Sequence, residues 1–308
     1  MLTIALSRRH VLFGAAALAG LSACAKPAAT TISSASSASE GGGWPIGVQL
    51  FTVKAELATD APGTLKKLKD LGVAVVETAG TNGTTAAAFA QQIRDAGLII
   101  RSSHTNMPAL LADIDKEIAD AKTFGSEWLV CSSPKPARPL PGKKEWVVEM
   151  TENMNLDQWK FNADQLAAMA PKVKAAGLKF AYHNHPMEFH DLGGGQTGYD
   201  LITGSTPDLR LEMDIGWVVV GGADPVALIN KYAGRVDLLH VKDMKKDPAG
   251  PFGFYSTELG NGVIDWPAVF KAAHAAGVQG YFLEQEAPYV KPIFDSLKTS
   301  TDYLRAMK

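Results

Sequence analysis

The 308-residue sequence predicts an α/β protein folded as a single (β/α)8 TIM barrel, on three observations. From residue 44 onward, short β-branched or apolar runs alternate with longer amphipathic stretches, an alternation that requires a parallel sheet. A glycine recurs between the end of a stretch and the next run, the place where a left-handed residue closes a helix. About eight such units fit the remaining length, which is what closing the sheet into a barrel takes. With 46% hydrophobic residues, the chain can bury the core of one large domain.

The first residues carry address rather than fold. Ser7-Arg8-Arg9-His10-Val11-Leu12 and the apolar run to Leu21 have the basic start and short hydrophobic stretch of an export signal, and the paired arginines resemble the twin-arginine type. Leu21-Ser22-Ala23-Cys24 resembles the lipobox of bacterial lipoproteins, in which the cysteine is acylated. An ordinary cleaved signal and a retained anchor are the alternatives, though the run is short for a span. The expected division is a signal peptide over 1–23, a Ser/Ala/Gly-rich tether over 24–43 and the barrel over 44–308. The expected location is the periplasm, with membrane contact only through lipid on Cys24.

Removing residues 1–23 takes away Arg8 and Arg9 and no acidic residue, so the net charge moves from -2 to -4. That mild acidity argues against nucleic acid as a partner. Cys24 is the expected lipid site, which leaves Cys131 alone, so no intrachain disulfide is expected.

The elements follow in order. Residues 46–50 open the barrel; Gly72 then precedes the run 73–78, Gly97 precedes 98–103, Gly125 precedes 127–131 and Gly177 precedes 178–183. Gly204 precedes 209–213 after a short turn, Gly234 precedes 236–240 and Gly277 precedes 278–284. Between them, Asp60 can cap a helix with Pro62 in its first turn, while Leu65, Leu68 and Leu71 keep helical spacing. Residues 86–96 and 159–176 read as similar helices. The proline-rich connection over 132–155 reads as a lid after the fourth strand.

In such barrels the working groups stand at the C-terminal ends of the strands. Taking those ends without regard to chemistry collects Gln49, Glu77, His104, His183, His185, Glu188, Asp214, His240, Lys242, Asp243, Glu284 and Glu286. Nearly all are carboxylate, imidazole or ammonium, groups that cost several kcal/mol to bury unless a metal or a partner satisfies them. Individually each has a bland reading. Glu77 could pair with an arginine, His104 could be a satisfied loop histidine, Lys242 could bridge to Asp243 or Glu258, and Trp217 could be core. Glu212, two residues before Asp214, should share its face on a regular strand.

Gly47-Val-Gln-Leu-Phe-Thr-Val53, Tyr182-His-Asn-His-Pro-Met-Glu-Phe189, Leu211-Glu-Met-Asp-Ile-Gly-Trp217, Leu239-His-Val-Lys-Asp243 and Gly260-Asn-Gly-Val-Ile-Asp265 together resemble the sugar phosphate isomerase/epimerase family of xylose isomerase-like barrels. The resemblance covers about residues 45–306. It implies a divalent metal held by Glu188, Asp214, His240 and Glu284, with His183 or His185 as the alternative to Glu188. Three carboxylates and an imidazole form a hard set that suits Mn²⁺, Mg²⁺ or Co²⁺ better than structural Zn²⁺. Mn²⁺ is the expected ion, with the other three as alternatives.

The implied reaction is isomerisation or epimerisation of a small-molecule sugar by proton abstraction next to a carbonyl, through an enediolate, with Glu188 and Glu284 as general bases. His104, His183, His185 and Lys242 would hold sugar oxygens, and Glu77 and Trp217 would line the pocket. No Gly-rich phosphate loop follows the seventh or eighth strand and no arginines cluster there, so a non-phosphorylated sugar or keto-sugar is expected. A 3-keto-glycoside lyase using the same site is the nearest alternative. A non-catalytic sugar-binding lipoprotein and an apurinic endonuclease come after it. Assembly into a homo-oligomer is compatible with all of them.

Overall fold

Eight short parallel strands close a barrel in sequence order: β1 Gly47–Gln49, β2 Val75–Ala79, β3 Ile99–Thr105, β4 Trp128–Cys131, β5 Lys179–His183, β6 Arg210–Asp214, β7 Val236–Val241 and β8 Gly280–Leu283. The computed structural model describes residues 40–307; Arg8, Arg9, Cys24 and the tether up to residue 39 lie outside the described residues. Each predicted run is a strand, displaced by a residue or two at its ends. Leu283 pairs with Val48, which closes the circle.

Period-two alternation sorts the strand residues between two cores. Val75, Trp128, Val130, Ala181, Leu238 and Phe282 fill the lower barrel as one apolar plug. One step further along three of these strands stand Glu77, His183 and His240, joined by Glu212 from β6, all buried. The intervening residues, among them Val76, Leu211, Leu239 and Tyr281, pack outward against the helices. The strand ends are therefore polar because they stand on an apolar floor and face the barrel axis.

Eight helices follow the strands: α1 Ala61–Asp70, α2 Ala86–Asp95, α3 Met107–Phe124, α4 Leu156–Ala175, α5 Gly198–Gly204, α6 Pro225–Lys231, α7 Trp266–Ala276 and α8 Ile293–Ala306. Asp60 caps α1 as expected, its carboxylate accepting the Gly63 amide at 3.0 Å. Gly125 and Gly277 close α3 and α7 at φ of 78° and 79°, a conformation a Cβ would strain. Gly204 departs from the pattern: it is the last residue of α5, and Ser205 in the ordinary helical region caps it. No helix among the described residues is long and apolar enough to cross a membrane.

Two irregular segments cover the C-terminal mouth. The connection over 132–155 is not all loop, for Trp146–Asn153 form a helix within it. Glu149, on that helix, accepts the backbone amides of Gly142 at 2.8 Å, Lys143 at 2.6 Å and Lys144 at 3.0 Å, which fastens the preceding turn. After β7, Asp243–Lys246 pairs antiparallel with Phe254–Thr257. Asp243 itself accepts from the amides of Gly260 and Gly262 and from Trp266 Nε1, so this strand-end carboxylate organises a loop rather than facing the axis.

Candidate active site

The polar strand ends form two tiers joined through one imidazole. In the lower tier, Glu77 Oε2 lies 2.6 Å from His240 Nε2 and 3.0 Å from His104 Nε2. Glu212 Oε2 lies 2.5 Å from His104 Nε2, 3.2 Å from His183 Nδ1 and 3.2 Å from His240 Nε2. Gln49 donates to Glu77 at 2.7 Å. The other nitrogen of His240 faces the upper tier: Nδ1 is 3.2 Å from Glu284 Oε2 and 3.9 Å from Asp214 Oδ2. There Lys242 Nζ reaches Glu284 at 2.8 Å, Asp214 at 3.0 Å and Glu286 at 2.5 Å.

Asp214 is held in place through its backbone and one oxygen. Asn184 Oδ1 accepts the Asp214 amide at 3.1 Å and its Nδ2 donates to the Asp214 carbonyl at 3.1 Å. Asp214 Oδ1 accepts the Trp217 amide at 2.8 Å, capping the helix Ile215–Val220. That leaves Oδ2 for the site, near Lys242 but out of hydrogen-bond alignment with it.

The electrostatics follow from burial set against neighbours. Burial alone would lower His104 and His240, but the carboxylates around them outweigh it: Glu77 and Glu212 raise His104 to about 9, and Glu212, Glu284 and Glu77 hold His240 well above its ordinary value. Burial would push Glu284 up, yet Lys242 and His240 hold it well below. Asp214 rises to about 6 because burial outweighs the pull of Lys242. His183 and His185 lie well below their usual range, through burial and then the cations around them, so both are neutral.

These residues fit a divalent cation. Donor atoms of Asp214, His240 and Glu284 lie within 4.8 Å of one another, and so do those of His104, His183, Glu212 and His240. Glu77 Oε1, Glu212 Oε1 and Asp214 Oδ2 are buried without a hydrogen-bond partner, and orphaned buried acceptors of this kind are costly unless something positive meets them. The first group offers two carboxylates and one imidazole, the second mainly imidazoles.

Glu188 is not brought to either group. It is the third residue of the turn Pro186–Phe189, and its carboxylate folds back to accept the His185 amide at 3.0 Å and the Tyr182 hydroxyl at 2.7 Å. Tyr182 alternates with His183 along β5 and belongs to the outer core, so Glu188 sits behind the barrel wall. His183 holds the place at the axis that Glu188 was expected to take.

Burial raises Glu188 to about 8, against the hydrogen bonds that oppose it. The folded protein therefore keeps a proton that the unfolded chain releases above its ordinary value near 4.5, and stability falls as pH rises from there until about 8. Thermal melts from pH 5 to 9 should show Glu188→Gln losing much of this slope and gaining several degrees over wild type near pH 8.5. Parallel pH profiles would show that Glu188 is already ionised in the fold.

Above the tiers opens a cavity of about 670 Å³, lined by Phe51, His104, Trp146, His183, His185, Glu284 and Glu286 among others. His185 Nδ1 is buried with no partner. The expected pocket residues Glu77 and Lys242 thus lie beneath the cavity, bonded to site residues, and Trp217 is buried with Lys242 Nζ 4.4 Å from its ring centre. Three residues escaped the sequence reading. Asn184 could have been found inside the His-Asn-His run, and Tyr182 beside it; Trp146, at the start of a helix in a proline-rich connection, gave no signal.

Comparison with known proteins agrees with this architecture. A protein named inosose dehydratase from Lacticaseibacillus casei is 27% identical over 162 residues, 46% of this chain and 52% of the relative. Another of that name from Clostridium beijerinckii is 29% identical over 168 residues, covering 47% and 53%. The chain thus spans about half the length of the curated relatives it matches. A crystal structure described as a sugar phosphate isomerase/epimerase from Parabacteroides distasonis superposes with a TM-score of 0.69 at 25% identity, covering 91% of this chain and 98% of that one. The family model described as xylose isomerase-like TIM barrel matches residues 65–307, and the chain belongs to that family.

Proposed function

We propose that the protein is a divalent-metal-dependent isomerase or epimerase of a non-phosphorylated sugar or keto-sugar, acting by proton abstraction next to a carbonyl. The observation that carries this reading is the convergence of Asp214, His240 and Glu284 within 4.8 Å, beside a cavity that Glu284 itself lines. When bound there, the metal, with Mn²⁺ expected, would act as Lewis acid on adjacent carbonyl and hydroxyl oxygens.

The chain's own residues do the rest. Asp214, His240 and Glu284 hold the ion, and Lys242 keeps Glu284 ionised. Glu284 takes the α-proton on one side of the sugar. On the other side, His185 replaces Glu188 as the second base, because it lines the cavity, is neutral and has a free Nδ1. His104 and His183 present ring edges to the sugar oxygens from the cavity floor. Glu77 and Glu212 fix the His240 tautomer from below, as carboxylates do behind metal-ligating histidines.

The relatives named inosose dehydratase favour a second reading, in which the same proton abstraction is followed by loss of a β-substituent. A 3-keto-glycoside would react in this way. Metal analysis of the purified protein, with deuterium exchange read at the α-carbons of keto-sugars, inososes and 3-keto-glycosides, tests both. Exchange with an isomer as product supports the first reading, and exchange with an eliminated product supports the second. A metal-free protein that exchanges nothing would falsify the catalytic reading.

We also propose that the barrel works on a lipid tether in the periplasm, on the strength of Arg8, Arg9 and Cys24. Replacing Cys24 by Ser should move the protein from the membrane fraction to the soluble periplasmic fraction on cell fractionation. Retention at the membrane would show that Cys24 is not the anchor.

A further inference from the structure

A second cavity of about 360 Å³ adjoins the first and differs from it in chemistry. Trp146 and Glu286 line both, so the two meet across one tryptophan and one carboxylate. The first is floored by imidazoles and carboxylates. The second is walled in good part by rings: Trp146, Trp217, Phe254 and Tyr255, with Pro251 and Pro288. A substrate of one ring, bound over Asp214, His240 and Glu284, would leave this space without a purpose.

Three details point to an occupant. Trp146 is 40% exposed, on the segment that covers the mouth, and packs edge-on against His185 at 4.9 Å between ring centres. An indole left open at such a place offers a broad apolar face. Trp217 is buried, yet its Nε1 has no acceptor in the protein, and a buried indole N–H ordinarily finds one. Glu286 stands where the cavities join, with its amide donating to Ser256 Oγ at 3.2 Å and its carboxylate on Lys242. Apolar ring faces, one unused donor and a carboxylate at the rim suit a ligand with a C–H face and hydroxyl edges.

We infer that the Trp146–Trp217–Phe254–Tyr255 cavity is a subsite for a second sugar ring, so that the substrate is a glycoside whose reacting ring sits over Asp214, His240 and Glu284. This rests on the proposed sugar chemistry for the position of the reacting ring, but the cavity's ligand preference can be read separately. The second ring lies against the aromatic walls. Glu286 meets hydroxyls near the glycosidic oxygen, and Trp217 Nε1 donates to one of them.

The test is titration of tryptophan fluorescence with glucose and with a panel of glucose disaccharides of different linkage, on wild type, Phe254→Ala and Tyr255→Ala, beside the deuterium-exchange assay. Phe254 and Tyr255 line the second cavity and not the first. At least one disaccharide should bind about tenfold more tightly than glucose, and both variants should lose that advantage while keeping wild-type affinity for glucose and wild-type melting temperatures. An aryl glucoside that matches the best disaccharide would assign the cavity to an aromatic aglycone and overturn the second-ring proposal. Equal affinity for glucose and every disaccharide, or an advantage that survives both variants, would also overturn it, even if exchange is found. A disaccharide preference without any exchange would keep the subsite and overturn the catalytic reading instead.

Discussion

His240→Ala is expected to lose the bound metal, reduce α-proton exchange by about a thousandfold or more and lower stability even in metal-free protein. The reason is that this one imidazole serves both tiers. Nδ1 faces Glu284 and Asp214, while Nε2 lies between Glu77 and Glu212, all of them buried. Removing a partner from buried charges costs about 3–5 kcal/mol, because the remaining charge has no compensation. Here several carboxylates lose one common partner. Melts recorded with chelator isolate the fold effect from the metal effect, and elemental analysis reads the metal. His240→Ala protein that melts like wild type under chelator would show that His104, His183 and Lys242 suffice to hold the carboxylates.

The same geometry explains how much could be read from sequence. Barrel closure and strand ends were legible because each glycine-punctuated run carries its own local signal, and period-two alternation then assigns Glu212 to the face of Asp214. Asp214, His240 and Glu284 meet as expected, because each stands at or just beyond a strand end where the direction of the side chain is fixed by the strand. Glu188 was not legible in this way. It lies beyond β5 in a turn, where direction depends on turn geometry, and a carboxylate three residues after His185 caps its own turn. Lys242 illustrates the other limit: spacing suggested Asp243 or Glu258 as partners, yet alternation sends its neighbour Asp243 the opposite way, into the 260–264 backbone. Glu258 is taken by Lys291 and Ser296 instead.

Lys242→Met should separate metal binding from turnover. The lysine is fully buried, and its ammonium bonds Glu284 Oε2 and lies 3.0 Å from Asp214 Oδ2, two of the oxygens that a divalent ion would need. Burial opposes its charge, but Asp214, Glu284 and Glu286 keep it protonated. An ammonium on these oxygens competes with the ion, so removing it should leave metal affinity unchanged or raise it by up to about tenfold. Catalysis should move the other way. Lys242 is the cation that keeps Glu284 ionised, and it bonds both Glu284 and Glu286, carboxylates that line the cavity, so exchange should fall by about a hundredfold to ten-thousandfold, as on losing one preorganised charge. Methionine keeps the length and packs against Trp217, whose ring lies 4.4 Å from Nζ, so the variant should fold. Calorimetric titration with Mn²⁺ beside the exchange assay decides the matter. Metal affinity and exchange falling together would mean that Lys242 only holds the carboxylates in place, whereas tighter or equal binding with lost exchange would place the ammonium in the reaction.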